Sequence, residues 1–151
     1  MAAQPTESVR GVISNTRCGN REYDLIVTDR RILAAVVGSV LNLPVLPFFT
    51  NLPVSMGGRE AAYERYRSMN LDQIFASDPK NFSIPLTAIR RALLDGGVQW
   101  VTLPVLTVWV PEGPFRFEFT NSTLKKDYAG LRFAKDVLSA ALPGRLKTKH
   151  V

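Results

Sequence analysis

The sequence is poor in the side chains that most often carry catalysis or bind metals. Cys18 is the only cysteine and His150 the only histidine among 151 residues. A single cysteine excludes an intramolecular disulfide and a cysteine metal cluster, and a single histidine excludes a histidine metal cluster. A histidine-based triad is not expected either, because His150 stands near the end of a basic tail that we predict to be frayed.

Other catalytic patterns are equally sparse. Acidic residues are dispersed along the chain, and Cys18 has no neighbouring histidine in sequence that would activate a thiol. The glycine pairs at 57–58 and 96–97 lack the Lys-Ser/Thr or Gly-x-x-Gly context of phosphate-binding loops. The sequence therefore predicts a protein that is not an enzyme, with no cofactor and no metal site.

Charge is missing from one long stretch, since no charged side chain occurs between Ile32 and Gly58. Its length would suit a membrane-spanning helix. However, Pro44, Pro47 and Pro53 each remove a backbone donor and disfavour helical angles in the preceding residue. We therefore predict no transmembrane span.

The large apolar side chains of this stretch still require burial, because an exposed patch of that size would aggregate. Two alternatives remain: shallow insertion at an anionic membrane surface, or packing against protein, either a partner, the same domain or a second copy. The candidate contact residues are Leu43, Val45, Leu46, Phe48, Phe49 and Leu52.

The overall charge is positive, with 19 basic and 13 acidic residues and a net charge of +6. This balance favours anionic partners. Nucleic acid is not expected, because neither an aromatic-rich RNA motif nor a DNA-reading helix is recognisable. The first residues, MAAQPTESVRG, lack the pattern of a secretory signal, so we expect a cytoplasmic location, at the inner membrane face if the membrane alternative holds.

Hydrophobic periodicity predicts one α+β domain. Residues 22–37 alternate as a β-hairpin, with Tyr23, Leu25 and Val27 on one face, and FRFEF at 115–119 alternates as a half-buried strand. Further strands are predicted at 9–14, 82–84, 89–95 and 98–110, the last broken or placed at an edge by Pro104. Amphipathic helices are predicted from Arg59, from Asn70 to Pro79, and from Ser122 to Pro143.

Two segments carry a resemblance to a known family. YDLIVTDRRIL at 23–33 resembles the second and third strands of prokaryotic pleckstrin-homology-like (PH-like) and GRAM-like domains, and NFSIPLTAIRRALLD at 81–95 resembles the family's Ile-Pro-x-x-x-Ile segment. The Phe-rich strand and the helix after it match the family's capping helix in place and length. The block at 38–80, with the uncharged stretch and two helices, departs from a minimal module.

The resemblance implies a single domain over residues 1–151: a strongly bent antiparallel sheet or open barrel, capped by a C-terminal helix and carrying an insertion at about 38–80. It also implies a binding or tethering module for lipid headgroups, peptides or proteins. In lipid-binding relatives, basic residues between the first two strands hold phosphates, and Arg17 and Arg21 correspond to them here. Arg30 and Arg31, which directly precede the uncharged stretch, complete the candidate ligand site. Self-association through the insertion is the alternative function.

Overall fold

The computed structural model describes residues 7–37, 64–67, 69–98, 101–120 and 128–151. The strands, in chain order, are β1 Val9–Cys18, β2 Arg21–Thr28, β3 Arg31–Val36, β4 Phe82–Pro85, β5 Arg91–Asp95, β6 Val105–Val110, β7 Gly113–Phe119 and β8 Leu146–Lys149. The helices are α1 Leu71–Ala76 and α2 Tyr128–Ala141, and residues 64–67 are also helical.

The eight strands of the described residues belong to one sheet, in the order β4-β3-β2-β1-β7-β6-β5-β8. Neighbours pair antiparallel except β5 and β8, which are parallel. The sheet forms two halves, β1 to β4 and β5 to β8, which meet where β1 pairs with β7 through only Thr16↔Phe119 and Arg17↔Glu118. The predicted α+β class, with a bent sheet and a C-terminal helix, is confirmed.

The predicted hairpin at 22–37 is confirmed as β2 and β3, with Val27 opposite Ile32. Its tight turn is fixed by Thr28, whose Oγ1 accepts hydrogen bonds from the backbone N–H groups of Arg30 at 3.0 Å and Arg31 at 2.9 Å. A side-chain hydroxyl that satisfies two turn donors holds the chain reversal in one geometry.

Aromatic contacts show how strongly the sheet bends. Three strands separate β4 from β7 in the sheet order, which in a flat sheet would put them about 19 Å apart. Instead, the ring of Phe82 on β4 stacks on Phe115 and Phe117 of β7, with centroids 5.1 and 6.1 Å apart. The sheet therefore curls until its first strand faces its fifth, and the concave side encloses the main core.

Helix α2 covers that concave side. Its Val137 and Leu138, together with Leu142 just after the helix, are buried in the same apolar cluster as Leu25 of β2. The helix approaches β1 closely at Gly11, where a Cβ atom would lie 2.7 Å from Val137 Cγ2. Glycine is therefore required at this position for the helix to seat on the sheet.

The convex side of β1 to β3 is also buried, by residues 64–67 and α1. A second apolar cluster there contains Val12, Ile26, Leu33, Ala35, Tyr66 and Ile74. The predicted alternation of β2 is correct, but both of its faces lie inside the protein. Strands β1 to β3 thus form the middle layer of three.

Two asparagines fix the position of α1. Asn70 caps its N-terminus, since its Oδ1 accepts from the backbone N–H groups of Asp72 and Gln73. Buried Asn81 follows the helix; its Nδ2 donates to the Ile74 carbonyl at 2.8 Å and its Oδ1 accepts from the Val36 N–H at 2.7 Å. Asn81 therefore joins the end of α1 to the end of β3 through its side-chain amide.

The basic tail does not fray, and our prediction for it was wrong. Residues 146–149 form β8, which pairs with β5 in the register Ala92↔Leu146 to Asp95↔Lys149. Just before β8, Arg145 Nη1 donates to the carbonyls of Leu86 at 2.6 Å and Ile89 at 2.8 Å. The tail is ordered because its backbone forms hydrogen bonds with β5 and because the Arg145 side chain donates to two backbone carbonyls.

Asp95 adds a pH-dependent contact to this edge. Its Oδ1 accepts from the Gly97 N–H at 2.9 Å and lies 3.2 Å from His150 Nδ1. Partial burial alone would raise the pKa of Asp95, but the Gly97 hydrogen bond, His150 and the charge of Lys149 outweigh it and hold this pKa below its usual value.

This lowered pKa predicts acid sensitivity. A group with a lowered folded-state pKa binds protons more weakly in the native state, so its stabilising effect is present above the unfolded pKa and is lost as pH falls through the folded value. The difference in free energy of unfolding between wild type and Asp95→Asn should therefore be full well above pH 3.8, shrink below that pH, and disappear once the pH has fallen through the lower folded-state pKa. Urea unfolding at a series of acid pH values measures this difference; a constant difference would contradict the prediction.

Candidate binding surface

The four candidate arginines do not come together. Arg17 and Arg21 flank the turn between β1 and β2, where Cys18 pairs with Arg21. Arg30 and Arg31 lie at the turn between β2 and β3, at the opposite end of β2. The eight residues of β2 separate the two pairs by about 23 Å, at roughly 3.3 Å per residue. No single ligand headgroup contacts both pairs.

Arg31 is bound within the fold. Its Nε donates to Glu7 Oε2 at 2.9 Å, and the Thr28 hydroxyl donates to the same oxygen at 2.6 Å. Its Nη2 lies 3.7 Å from Asp72 Oδ1, and its side chain is only 20% exposed. The guanidinium thus connects the segment before β1, the β2–β3 turn and α1, a structural role that leaves little of it for a ligand.

Arg30 and Arg31 border an open cleft of about 940 Å³ between that turn and the start of α1. The cleft also has Arg67, Glu7 and Asp72 in its wall. Because acidic and basic groups are mixed there, and Arg31 is already paired with Glu7, the cleft does not concentrate charge of one sign.

Arg17 and Arg21 are the more accessible pair. Both side chains are exposed, although Arg17 Nη2 lies 3.5 Å from Glu118 Oε2 on β7. An ion pair of this length at the surface contributes little energy and can open for a ligand. At the same end of the sheet, the Val37 N–H donates to the Glu22 carbonyl at 3.0 Å.

That hydrogen bond shows where the uncharged stretch leaves the described fold. Residues 32–36 of the stretch lie in β3, Val37 is the last residue described before position 38, and Glu22 directly follows Arg21. The stretch therefore departs beside the Arg17 and Arg21 turn. The candidate contact residues of the stretch lie outside the described residues: Leu43, Val45, Leu46, Phe48, Phe49 and Leu52.

The structure also shows a cationic surface that was not predicted from the sequence. On the convex side of the half-sheet β5 to β8, Arg91 pairs across strands with Trp109, and Thr107 pairs with Arg116. The Arg91 guanidinium lies over the Trp109 ring, 4.2 Å from its centroid. The signal in the sequence was the alternation of Arg116 with buried phenylalanines, which placed this arginine outward but could not give its neighbours.

Chemistry based on Cys18 receives no support from its surroundings. Burial raises the pKa of the thiol, and the hydrogen bond with the Arg116 backbone lowers it by less. The reactive thiolate is therefore disfavoured at neutral pH. Within the described ranges, no group of three or more His, Cys, Asp or Glu side chains is placed to hold a metal ion.

None of the helices in the described part of the chain is long and apolar enough to cross a membrane. No protein-family model matches the sequence, and no curated protein matches it either.

Proposed function

We propose that the bent sheet is of the PH-like type and that the part of the uncharged stretch beyond β3 belongs to an insertion between its third and fourth strands. Two features support this. The first four strands form a continuous antiparallel meander, and α2 packs across the concave side of the sheet as a capping helix does. The parallel pairing of β8 is an addition to that plan.

We further propose that the protein is a non-catalytic module that attaches to an anionic membrane surface. One observation carries this proposal: the Val37–Glu22 hydrogen bond places the point where the uncharged stretch continues beyond β3 at the turn where Arg17 and Arg21 are exposed. Apolar side chains that enter the interface and arginines that contact headgroup phosphates would then act at one end of the molecule.

The energies suit reversible attachment. Burying four large apolar side chains contributes roughly 6 to 12 kcal/mol before ordering costs, at about 1.5 to 3 kcal/mol each. Guanidinium groups add charge-assisted hydrogen bonds to phosphate oxygens, often in bidentate geometry. Both contributions are needed, because a single apolar anchor gives only marginal membrane binding.

Co-sedimentation with vesicles tests this function. The probe is phosphatidylcholine vesicles with and without phosphatidylserine, and the variant carries Leu46→Ser, Phe48→Ser and Phe49→Ser. We expect wild type to bind the anionic vesicles in a salt-sensitive way, and the variant to bind at least about tenfold more weakly, because it loses three apolar anchors.

The matched control carries three apolar-to-serine changes at exposed sites outside the stretch: Phe75→Ser, Val98→Ser and Val101→Ser. It should bind like wild type. Equal weakening of both variants would contradict a specific role for the stretch. If size exclusion with light scattering shows a monodisperse dimer and the protein does not bind vesicles, membrane attachment is contradicted and self-association through the insertion is favoured.

A further inference from the structure

The convex side of β5 to β8 presents ordered rows of outward side chains. One row runs across four strands as Lys147, Leu93, Thr107 and Arg116, each the register partner of the next. A neighbouring row pairs Arg91 with Trp109. We call the set formed by these two rows the cationic sheet face. It spans about 14 Å across the strands, at roughly 4.8 Å per strand.

The cationic sheet face contains no acidic side chain. Arg91, Arg116 and Lys147 are exposed, and none of the three forms an ion pair with another described residue. The acidic residues of this side, Asp95 and Glu118, belong to the next row, where they contact His150 and Arg17 respectively. Positive charge is therefore concentrated in two adjacent rows.

This side differs from the convex side of the other half-sheet, which residues 64–67 and α1 cover. Leu93 and Trp109 belong to neither apolar cluster of the described residues and remain half-exposed. An amphipathic Trp ring with one cation over it and others in the next row is typical of residues at the level of lipid headgroups.

We infer that the cationic sheet face is the surface that contacts the headgroups of an anionic bilayer, which rests on the membrane function proposed above. Its cations are spread in two dimensions over four strands, a pattern complementary to a planar anionic surface. A single-stranded nucleic acid would instead need a linear track and open aromatic rings for base stacking. Here the Trp109 ring is covered by Arg91.

The cationic sheet face is continuous with the end of the sheet where the uncharged stretch departs. Arg116 lies on β7, which pairs with β1 at Arg17↔Glu118. Arg17 lies beside the β1–β2 turn, and the Val37 N–H is hydrogen-bonded to Glu22 next to the same turn. Membrane contact through this face would thus orient the protein with the half-sheet β5 to β8 toward the lipid and α2, on the concave side, away from it.

A pair of charge-reversal variants tests the orientation. The first is Arg116→Glu with Lys147→Glu on the cationic sheet face. The control is Arg132→Glu with Lys135→Glu, two exposed cations on α2. Each variant reverses one arginine and one lysine, so the net charge is identical. Circular dichroism and thermal melting confirm that both variants fold.

Binding to phosphatidylserine-containing vesicles is measured for all three proteins. Each cation near an anionic surface strengthens binding about fivefold, so the loss of two cations alone predicts at least roughly 25-fold weaker binding of the first variant, and repulsion of the two new carboxylates weakens it further. The control should stay within about twofold of wild type if α2 faces away from the lipid.

The outcomes separate the two proposals. If wild type binds anionic vesicles and the two variants bind equally well, the orientation is overturned and the membrane function stands. Wild type that ignores vesicles overturns both. A third outcome is that wild type does not bind vesicles but binds a single-stranded oligonucleotide, and only the first variant loses that binding. This outcome assigns the face to nucleic acid and also overturns the inference.

Discussion

Tyr66→Ala is expected to lower the free energy of unfolding by roughly 3–5 kcal/mol, the usual cost of truncating a buried aromatic side chain. Tyr66 is 0% exposed and lies in the convex-side cluster with Ile26 and Ile74. Its hydroxyl donates to Asp24 Oδ2 at 2.6 Å, and Asp24 is itself buried. Truncation therefore removes a ring from the cluster and a hydrogen-bond donor from a buried carboxylate.

Tyr66→Phe separates these two effects. It keeps the ring but leaves the Asp24 carboxylate with the Asn15 N–H as its one remaining hydrogen-bond donor among the described residues, at 3.1 Å from Oδ1. An unsatisfied buried acceptor costs about 1–3 kcal/mol, so this variant should fall between wild type and Tyr66→Ala. Burial, and then the negative charge of Asp24, raise the pKa of Tyr66, so the hydroxyl remains a donor through neutral and moderately alkaline pH.

Urea unfolding measures both variants. Phe75→Ala is the control, since Phe75 lies on the neighbouring helix α1 but is 41% exposed, and it should cost less than about 1 kcal/mol. If Tyr66→Ala also cost less than that, residues 64–67 would not belong to the cooperatively folded unit. The hydrogen bond to Asp24 would then contribute nothing to stability.

Phe117→Ala is expected to have an effect of the same size, roughly 3–5 kcal/mol. Phe117 is 0% exposed, and its ring stacks with Phe82 at 6.1 Å and with Phe115 at 6.5 Å between centroids. Because Phe82 and Phe117 lie on strands far apart in the sheet order, this contact stabilises the bend itself. Loss of the ring leaves a cavity that neither strand can close without changing the curvature.

Phe115→Ala provides the comparison, because Phe115 is half-buried and belongs to the same stack. It should cost clearly less than Phe117→Ala, and Phe117→Leu should cost least because the larger part of the volume remains. Chemical denaturation of the three variants gives the order. Equal losses for Phe115→Ala and Phe117→Ala would show that the concave side is less tightly packed than these contacts indicate.

The sequence predicted the elements whose signal is local. Alternation located the β2–β3 hairpin and the outward and inward sides of β7, and helical spacing located α2. Strand β8 had no such signal, since Leu146 is its only large apolar residue and it forms half of a parallel pair with a distant strand. Its pairing depends on the position of β5, which no local pattern encodes.

The candidate site shows a different limit. Arg30 and Arg31 adjoin the uncharged stretch in sequence, so both were assigned to the site. However, the first residues of the stretch form β3, which carries the chain about 17 Å along the sheet, so the stretch continues beyond β3 beside Arg21 instead. Nor could the sequence show that Arg31 pairs with Glu7, because that contact joins residues on separate elements.

The narrow junction between the two half-sheets bears on how the protein folds. Within each half, the antiparallel pairs other than β3 with β4 form between strands joined by short connections, whereas the junction joins Arg17 to Glu118 across 101 positions. Closing so long a loop is entropically costly, and rates fall as contacts become less local. The junction is accordingly the step where the folding barrier is expected to lie, with each meander able to assemble before it. In the folded protein, two residue pairs and the hydrogen bonds of Thr120 to Asn15 hold this junction. Native-state amide hydrogen exchange is therefore expected to show partial opening first at these residues.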